Sequence, residues 1–481
     1  MGSMRVLVTG STGYIGGRLV PRLRDAGLEV RCLARAVGRL RGRFGERVEI
    51  VEGNLDDAAS LVTALKGCDV AYYLVHSMAA TADYAEVDRK TARQFGAGAR
   101  EAGVKAIVYL GGLGEDGDSL SAHLRSRHEV GGMLRGSGVP VIEFRAAQII
   151  GSGSISFEMM RYLTERLPVM IAPRWVTTRC QPVGIRDVLA YLIAALSVPR
   201  ENRIYEIGGR DVLTYREMML RYAAIRGLKR WIVVVPFFSP TLSSYWVHLI
   251  TPVPAKLAQP LIKGLYNEVV VRDSATARDF PQIAPMGFDD AVRLAFDRSR
   301  SADRETTWFD AFSARAPHGD FAGLQEGMLI DRRVGEATAS PARVAAIFSS
   351  LGGKRGWFGS QQLWRIRGWM DRWVGGVGLR LGRRSANDLR VGDAVDFWRV
   401  EAYEPGHLLR LRAEMRLPGR AWLQFEAEPR AGNGSTFVQT AFFEPRGLGG
   451  YLYWYSVAPF HAAIFGNMAK RIIEEAAAPA S

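Results

Sequence analysis

The chain has 481 residues, 48% hydrophobic and 23% charged, and 63 Lys and Arg against 49 Asp and Glu give a net charge of +14. That length holds two or three domains, and the composition excludes a disordered or collagen-like chain. Three cysteines, Cys32, Cys68 and Cys180, are too few and too scattered for a disulfide framework or a zinc site, so a reducing, cytoplasmic setting without a metal is expected.

Met1–Ser3 reads as an expression scar ahead of Met4, and no secretory apolar region precedes the first strand. Met4–Thr9 is an apolar run that predicts a buried strand. It leads into Gly10, Gly13 and Gly16, and Ile15, Leu19 and Leu23 then fall on one side of a helix. Strand, tight glycine turn and helix let backbone N–H groups approach a pyrophosphate, with the helix dipole in support. Gly10, Ser11, Thr12, Gly13, Tyr14, Ile15 and Gly16 are therefore cofactor-binding candidates.

Further strands are predicted at Glu29–Ala34, Val48–Val51, Val70–Val75, Ala106–Leu110 and Val139–Phe144, with helices between most of them, such as Asp57–Lys66 and Asp83–Ala102. This alternation predicts an α/β fold, a doubly wound parallel sheet with ligands beyond the carboxyl ends of its strands. Arg35 follows the second strand, where NAD-specific enzymes place an acid for the ribose 2′-OH. An arginine there suits the 2′-phosphate of NADP(H), with Arg18 and Arg39 as helpers.

Residues 151–300 are less regular. Val183–Leu196 predicts a helix, Arg203–Gly208 a strand, and another helix starts at Tyr215. Trp231–Leu265 is apolar but is cut by Pro236, Pro240, Pro252, Pro254 and Pro260. No span of ~18 uninterrupted residues remains for a membrane helix, so this stretch lines an apolar pocket or lies on an interface.

Ser299–Gly323 is polar and marks a boundary, giving a first domain over 4–300, a linker over 301–323 and a second domain over 324–477. In the second domain Met328–Val334 predicts a strand and Ser340–Ser350 a helix. Val395–Tyr403, His407–Met415, Ala421–Pro429 and Ser435–Glu444 predict successive antiparallel strands. A closing helix over about Pro459–Ala476 carries Phe460, Ile464, Met468 and Ile472 at helical spacing.

Gly356–Gly375 holds Trp357, Trp364, Trp369 and Trp373 among Arg365, Arg367 and Arg372. Two readings stand. One is a membrane-interface helix using Trp364, Trp369 and Trp373, peripheral to the inner face of the membrane. The other is an aromatic stripe packed on its own domain. The basic charge suits nucleic acid, anionic membrane or acidic ligands, but no helix-turn-helix, zinc-finger or RNP-like motif accompanies it, so no nucleic-acid partner is expected.

The Gly-x-x-Gly-x-x-Gly spacing of VLVTGSTGYIGG, Val6–Gly17, resembles the extended and atypical short-chain dehydrogenase/reductases, including the NmrA-like proteins. The resemblance covers roughly residues 4–300. It implies a Rossmann NAD(P)-binding domain with a substrate lobe at about 151–300. It sets Asn54 and Leu55 of VEGNLDD at the adenine edge, with an Asx turn as the alternative. It turns His76, with Ser77, towards the ribose and nicotinamide, with a structural histidine as the alternative.

One departure matters. Many such reductases use a Ser at the end of the fifth strand and a Tyr-x-x-x-Lys on the next helix. Here that strand ends Tyr109-Leu110-Gly111-Gly112-Leu113, and the helix reads HLRSRHEVG. His123 and Arg127, four apart on one helical face, stand in for the missing pair. His123 would donate a proton, and Arg127 would hold a ribose or phosphate without acting as a base. His128 lies about a hundred degrees round the helix. Arg145, Gln148 and Trp175 would line the nicotinamide end and substrate lobe, with packing roles as the alternative.

The second domain is similar in element order to the helix-grip fold of START and polyketide-cyclase-like proteins, an α+β fold that encloses an apolar cavity. The whole then implies an NADPH-dependent reductase of a hydrophobic carbonyl or enone, such as a lipid, isoprenoid, quinone or polyketide. The alternative is a non-catalytic NADP-binding sensor or scaffold, resembling NmrA-like regulators and the reductase-like accessory subunit of respiratory complex I.

Overall fold

Seven strands of the first unit pair in parallel: β1 Arg5–Val8, β2 Glu29–Ala34, β3 Glu49–Glu52, β4 Val70–Tyr73, β5 Ala106–Gly112, β6 Val141–Ala146 and β8 Arg203–Ile207. Their order is β8-β6-β5-β4-β1-β2-β3. Connectivity reverses beside β1, which has β4 on one side and β2 on the other. In such a sheet that reversal opens the ligand crevice.

The computed structural model describes residues 4–35, 37–75, 84–115, 120–235, 261–296, 319–325, 327–353, 355–358, 383, 389–430 and 434–478. The chain divides into two compact units, Met1–Ala316 and Pro317–Ser481. His76, Ser77, Trp364, Trp369, Trp373 and the proline-cut stretch 236–260 lie outside the described residues.

The central strands are buried on both faces because helices cover both. Side chains alternate accordingly. Val6, Val8, Tyr72, Val108 and Phe144 enter a core with α1 (Gly16–Asp25) and α7 (Ile185–Ala194). Leu7, Tyr73, Ile107, Tyr109 and Val141 enter a second core with α3 (Ala58–Leu65), α4 (Tyr84–Glu101) and α5 (Ala122–Arg135). The Tyr72 hydroxyl donates to Leu192 O at 3.0 Å, so this buried polar group is satisfied as burial demands.

A third core builds the lobe after β6. Phe157, Met160 and Leu163 of α6 (Ile155–Arg166) pack with Met218 and Tyr222 of α8 (Tyr215–Ile225) and Val292 of α9 (Phe288–Phe296). The lobe also holds a parallel two-strand ribbon of β7 (Val169–Pro173) and β9 (Trp231–Val235).

The second unit is a seven-stranded antiparallel sheet: β10 Phe321–Gln325, β11 Met328–Ala337, β12 Ala394–Val395, β13 Trp398–Glu404, β14 Leu408–Ala413, β15 Gly419–Pro429 and β16 Ser435–Pro445. The strand order is β10-β11-β16-β15-β14-β13-β12. Helices α10 (Pro341–Ser349) and α11 (Gly447–Ala477) supply Phe348, Phe465, Met468 and Ile472 to a core with Leu423, Phe425 and Phe437 of the sheet.

Two expectations change here. The predicted strand Val395–Tyr403 is broken at Asp396, whose φ of 55° lies in the left-handed region that Asp tolerates at a turn. The Asp396 carboxylate accepts from Trp357 Nε1 at 2.7 Å, which fixes both buried residues. The closing helix starts at Gly447 rather than near Pro459. Pro459 is exposed inside it, and buried Tyr451 and Trp454 extend the packed face beyond the proline; Trp454 stacks on Phe443 at 5.7 Å. Phe460 falls on the exposed side, away from Met468 and Ile472.

Candidate functional site

β1 is followed by Thr9, whose hydroxyl donates to Tyr72 O at 2.9 Å and accepts from Leu74 N at 3.3 Å. These bonds lock the ends of β1 and β4 side by side at the crevice. Gly10 follows with φ +67°, and a Cβ there would meet Leu74 O at 2.4 Å. A Cβ on Gly16 would meet Gly10 O at 2.5 Å. Only glycine allows so tight a turn. Gly13 N closes it on Gly10 O at 2.8 Å.

α1 then begins with no side-chain cap and no acid in its first turn, so the positive end of its dipole faces the crevice uncompensated by a carboxylate, while Gly17 N and Leu19 N are already bonded to Gly13 O and Ile15 O. Thr12 and Gly13 are exposed, Gly10, Tyr14 and Ile15 half-buried, and Ser11 and Gly16 buried. These residues form a cradle of the kind a dinucleotide pyrophosphate requires, and a side chain at Gly10 or Gly16 would force the turn apart against the backbone of Leu74 or Gly10.

Arg35 is exposed immediately after β2 and has no ion-pair partner among the described residues. Arg31, two turns of the pleat earlier, is instead buried, paired with Glu49 at 2.9 Å and donating to Ala64 O and Lys66 O. Asn54 is exposed after β3, and its backbone is held by Ser60 in a turn that starts α3. The Leu55 side chain is buried in the core with Leu7 and Leu33, which leaves its backbone for any ligand.

The end of β5 is stapled to α5 three times. The Tyr109 hydroxyl donates to Arg127 O at 2.9 Å, the Arg127 guanidinium donates to Leu110 O, and His128 Nε2 meets Gly112 O at 2.9 Å. Burial pushes the Tyr109 hydroxyl up to about 12, against the pull of the Arg127 charge, so it stays a donor. His123 is half-buried one turn before Arg127. The Ser121 hydroxyl caps this helix by accepting from Leu124 N at 3.4 Å.

The sequence reading turned His128 away from this edge. The structure brings it there because β5 runs on beneath α5, and carbonyls two residues apart meet two adjacent helix positions. Arg127 is likewise committed in part to Leu110 O.

Arg145 and Trp175 occupy packing positions. Arg145 Nε donates to Glu143 Oε1 at 2.8 Å, and Arg135 pairs with the same fully buried carboxylate. Glu143 lies so close to α5 that a Cβ on Gly131 would sit 2.4 Å from its Oε2. A buried carboxylate needs such partners, and this demand turns Arg145 back along its strand. Trp175 is buried in the lobe core, edge-on to Tyr215 at 5.8 Å. Gln148 is buried after β6, and its carbonyl accepts from Val183 N at 3.0 Å.

One clasp was missed by sequence reading. The Arg18 guanidinium lies 4.1 Å over the Tyr14 ring and donates to Tyr14 O and, at 3.0 Å, to Ser152 O. A Cβ on Gly151 would meet the Tyr14 hydroxyl at 2.3 Å. The glycine turn and the loop after β6 are thus tied across the crevice. The Tyr14/Arg18 spacing of four was the available signal. Arg18 is committed in part to this clasp.

Comparison with known proteins follows this geometry. Residues 10–138 match a family model described as NAD(P)H-binding. Residues 324–468 match one described as a protein of unknown function, DUF2867. The (4-alkanoyl-5-oxo-2,5-dihydrofuran-3-yl)methyl phosphate reductase of Streptomyces griseus subsp. griseus is 34% identical over 230 residues, which are 46% of this chain and 74% of that one. The ceramide reductase of Caulobacter vibrioides is 26% identical over 235 residues, 48% of this chain and 73% of that one. The structure of Citrobacter sp. triphenylmethane reductase complexed with NADP(H) covers 61% of this chain and 100% of its own, with TM-score 0.50 and 17% identity, a likeness of fold.

Proposed function

Because the chain belongs to the NAD(P)H-binding reductases of the NmrA-like, atypical short-chain dehydrogenase/reductase type, we propose that it is an NADPH-dependent reductase of a hydrophobic carbonyl or enone. The observation that carries this reading is the 34% identity to a reductase, over a stretch as long as a complete dinucleotide-binding domain. That relative is named for a (4-alkanoyl-5-oxo-2,5-dihydrofuran-3-yl)methyl phosphate, and the second relative for ceramide. Both names join a reductase to a molecule with an apolar chain.

The residues divide the work as follows. The Gly10–Gly16 turn and the start of α1 hold the pyrophosphate. Arg35, exposed and without an acidic partner among the described residues, takes the 2′-phosphate and selects NADPH over NADH. Asn54 and the Leu55 backbone stand at the adenine end. NADPH, when bound, supplies the hydride. His123 donates the proton that the reduced oxygen or enolate needs, and the β5–α5 staples keep its helix against the sheet. The Gln148 segment borders the substrate. The second unit, with its short helix, antiparallel sheet and long closing helix, is read as a helix-grip module for an apolar ligand.

The test is NADPH oxidation by the purified chain across a panel of lipophilic ketones, enones and quinones. Turnover of at least one supports the reading. Tight NADPH binding with no turnover anywhere favours the sensor or scaffold reading, which the commitment of the Arg127 guanidinium to Leu110 O supports.

A further inference from the structure

The β7–β9 ribbon of the lobe is amphipathic in an unusual direction. Its inner residues, Met170, Ala172 and Ile232, are buried in the lobe core. Its outer residues are also apolar and stand in solvent: Trp231 is 62% exposed, Val169 55%, Val233 53% and Ile171 52%. The register pairs Trp231 with Val169 and Val233 with Ile171, so the four form one continuous strip. Strands of this length run about 16 Å. A contiguous apolar surface of this kind marks an interaction site rather than scattered exposure.

The exposed charges described at its two ends have one sign. Lys229 is exposed beside the Trp231 end, and Arg174 is exposed at the far end beyond Pro173. The half-buried Arg230 donates to the main-chain carbonyls of Thr164, Glu165 and Lys229. Residues 166–179 and 226–235, which contain both strands and their flanks, include no Asp or Glu. A second copy placed on this strip by a two-fold axis would set cation against cation. An anionic lipid surface complements both features, taking the apolar strip into its headgroup boundary and the cations against its phosphates. A tryptophan at the rim is the side chain suited to that depth.

We propose that the outer face of the β7–β9 ribbon docks the protein on anionic membrane lipid through Trp231, Val233, Val169 and Ile171.

The test is co-sedimentation of the full chain with vesicles of phosphatidylglycerol and phosphatidylcholine in equal parts, and of phosphatidylcholine alone, at low and high salt. The wild type is expected to partition onto the anionic vesicles and to be released by salt. Ile171→Glu and Trp231→Glu should each weaken partition at least tenfold while NADPH affinity, which reports the folded first unit, stays unchanged. Lys229→Glu should weaken it severalfold. No partition by the wild type, or equal partition by the Glu variants, overturns the proposal. Loss of a dimer in the Glu variants without vesicle binding by the wild type also overturns it, assigning the strip to a second copy. Partition is read without turnover, so it stands or falls apart from the reductase assignment.

Discussion

Tyr109 donates its hydroxyl proton to the main-chain carbonyl of Arg127 at 2.9 Å, while the Arg127 guanidinium lies 5.3 Å over the Tyr109 ring. This reciprocal contact joins the middle of a central strand to the helix that carries His123. Tyr109→Phe deletes the hydrogen bond and keeps most of the ring packing. It should cost about 0.5–1.5 kcal/mol in urea unfolding and lower kcat with little change in NADPH affinity. An unchanged kcat would detach this staple from catalysis.

His123→Phe should remove turnover and leave NADPH binding intact, because the ring keeps its volume and loses its proton. Steady-state assay and a cofactor titration measure the two halves separately. Full activity in this variant would place the proton donor elsewhere.

Arg35→Ala should weaken NADPH by about tenfold to a hundredfold, the range of a charge-assisted hydrogen bond to phosphate, with NADH nearly unaffected. Dissociation constants for both cofactors decide it. Equal losses would remove Arg35 from the 2′-phosphate.

Gly151→Ala drives a methyl group into the Tyr14 hydroxyl and towards Ile185 Cγ2, 2.7 Å from the new Cβ. A cost of about 1–3 kcal/mol is expected, the usual range for overpacking. Adding Tyr14→Phe should recover part of it, and the remainder belongs to Ile185. A double-mutant cycle in thermal unfolding reads the coupling.

Glu143→Gln leaves the half-buried Arg135 and the buried Arg145 without their shared carboxylate. The loss should be large, about 3–5 kcal/mol, since a buried charge is stranded when its partner is removed. A fall in the urea-unfolding free energy of less than a third of that would show that water reaches the pair.

Much of the first unit was legible because its signals are local. Val6–Val8 reads as a buried run, Gly10 and Gly16 punctuate it, and Leu19 and Leu23 follow at helical spacing. The C-terminal helix was harder. Pro459 looks like a helix start, yet Tyr451 and Trp454 find a sheet to pack on, and that packing holds helix on both sides of the proline. Asp396 likewise sits in a strand-like run until Trp357, thirty-nine residues away, claims its carboxylate in a turn.

The sequence by itself determined the parallel nucleotide-binding half, the glycine cradle and the placing of an arginine just after β2, since each follows from neighbours along the chain. Only the tertiary structure decided which arginines are free. Arg18 is drawn to Ser152 and Arg145 to Glu143, while Arg35 meets no partner among the described residues. A guanidinium takes the carbonyl or carboxylate that folding brings within reach, and the spacing of residues along a chain does not carry that distance.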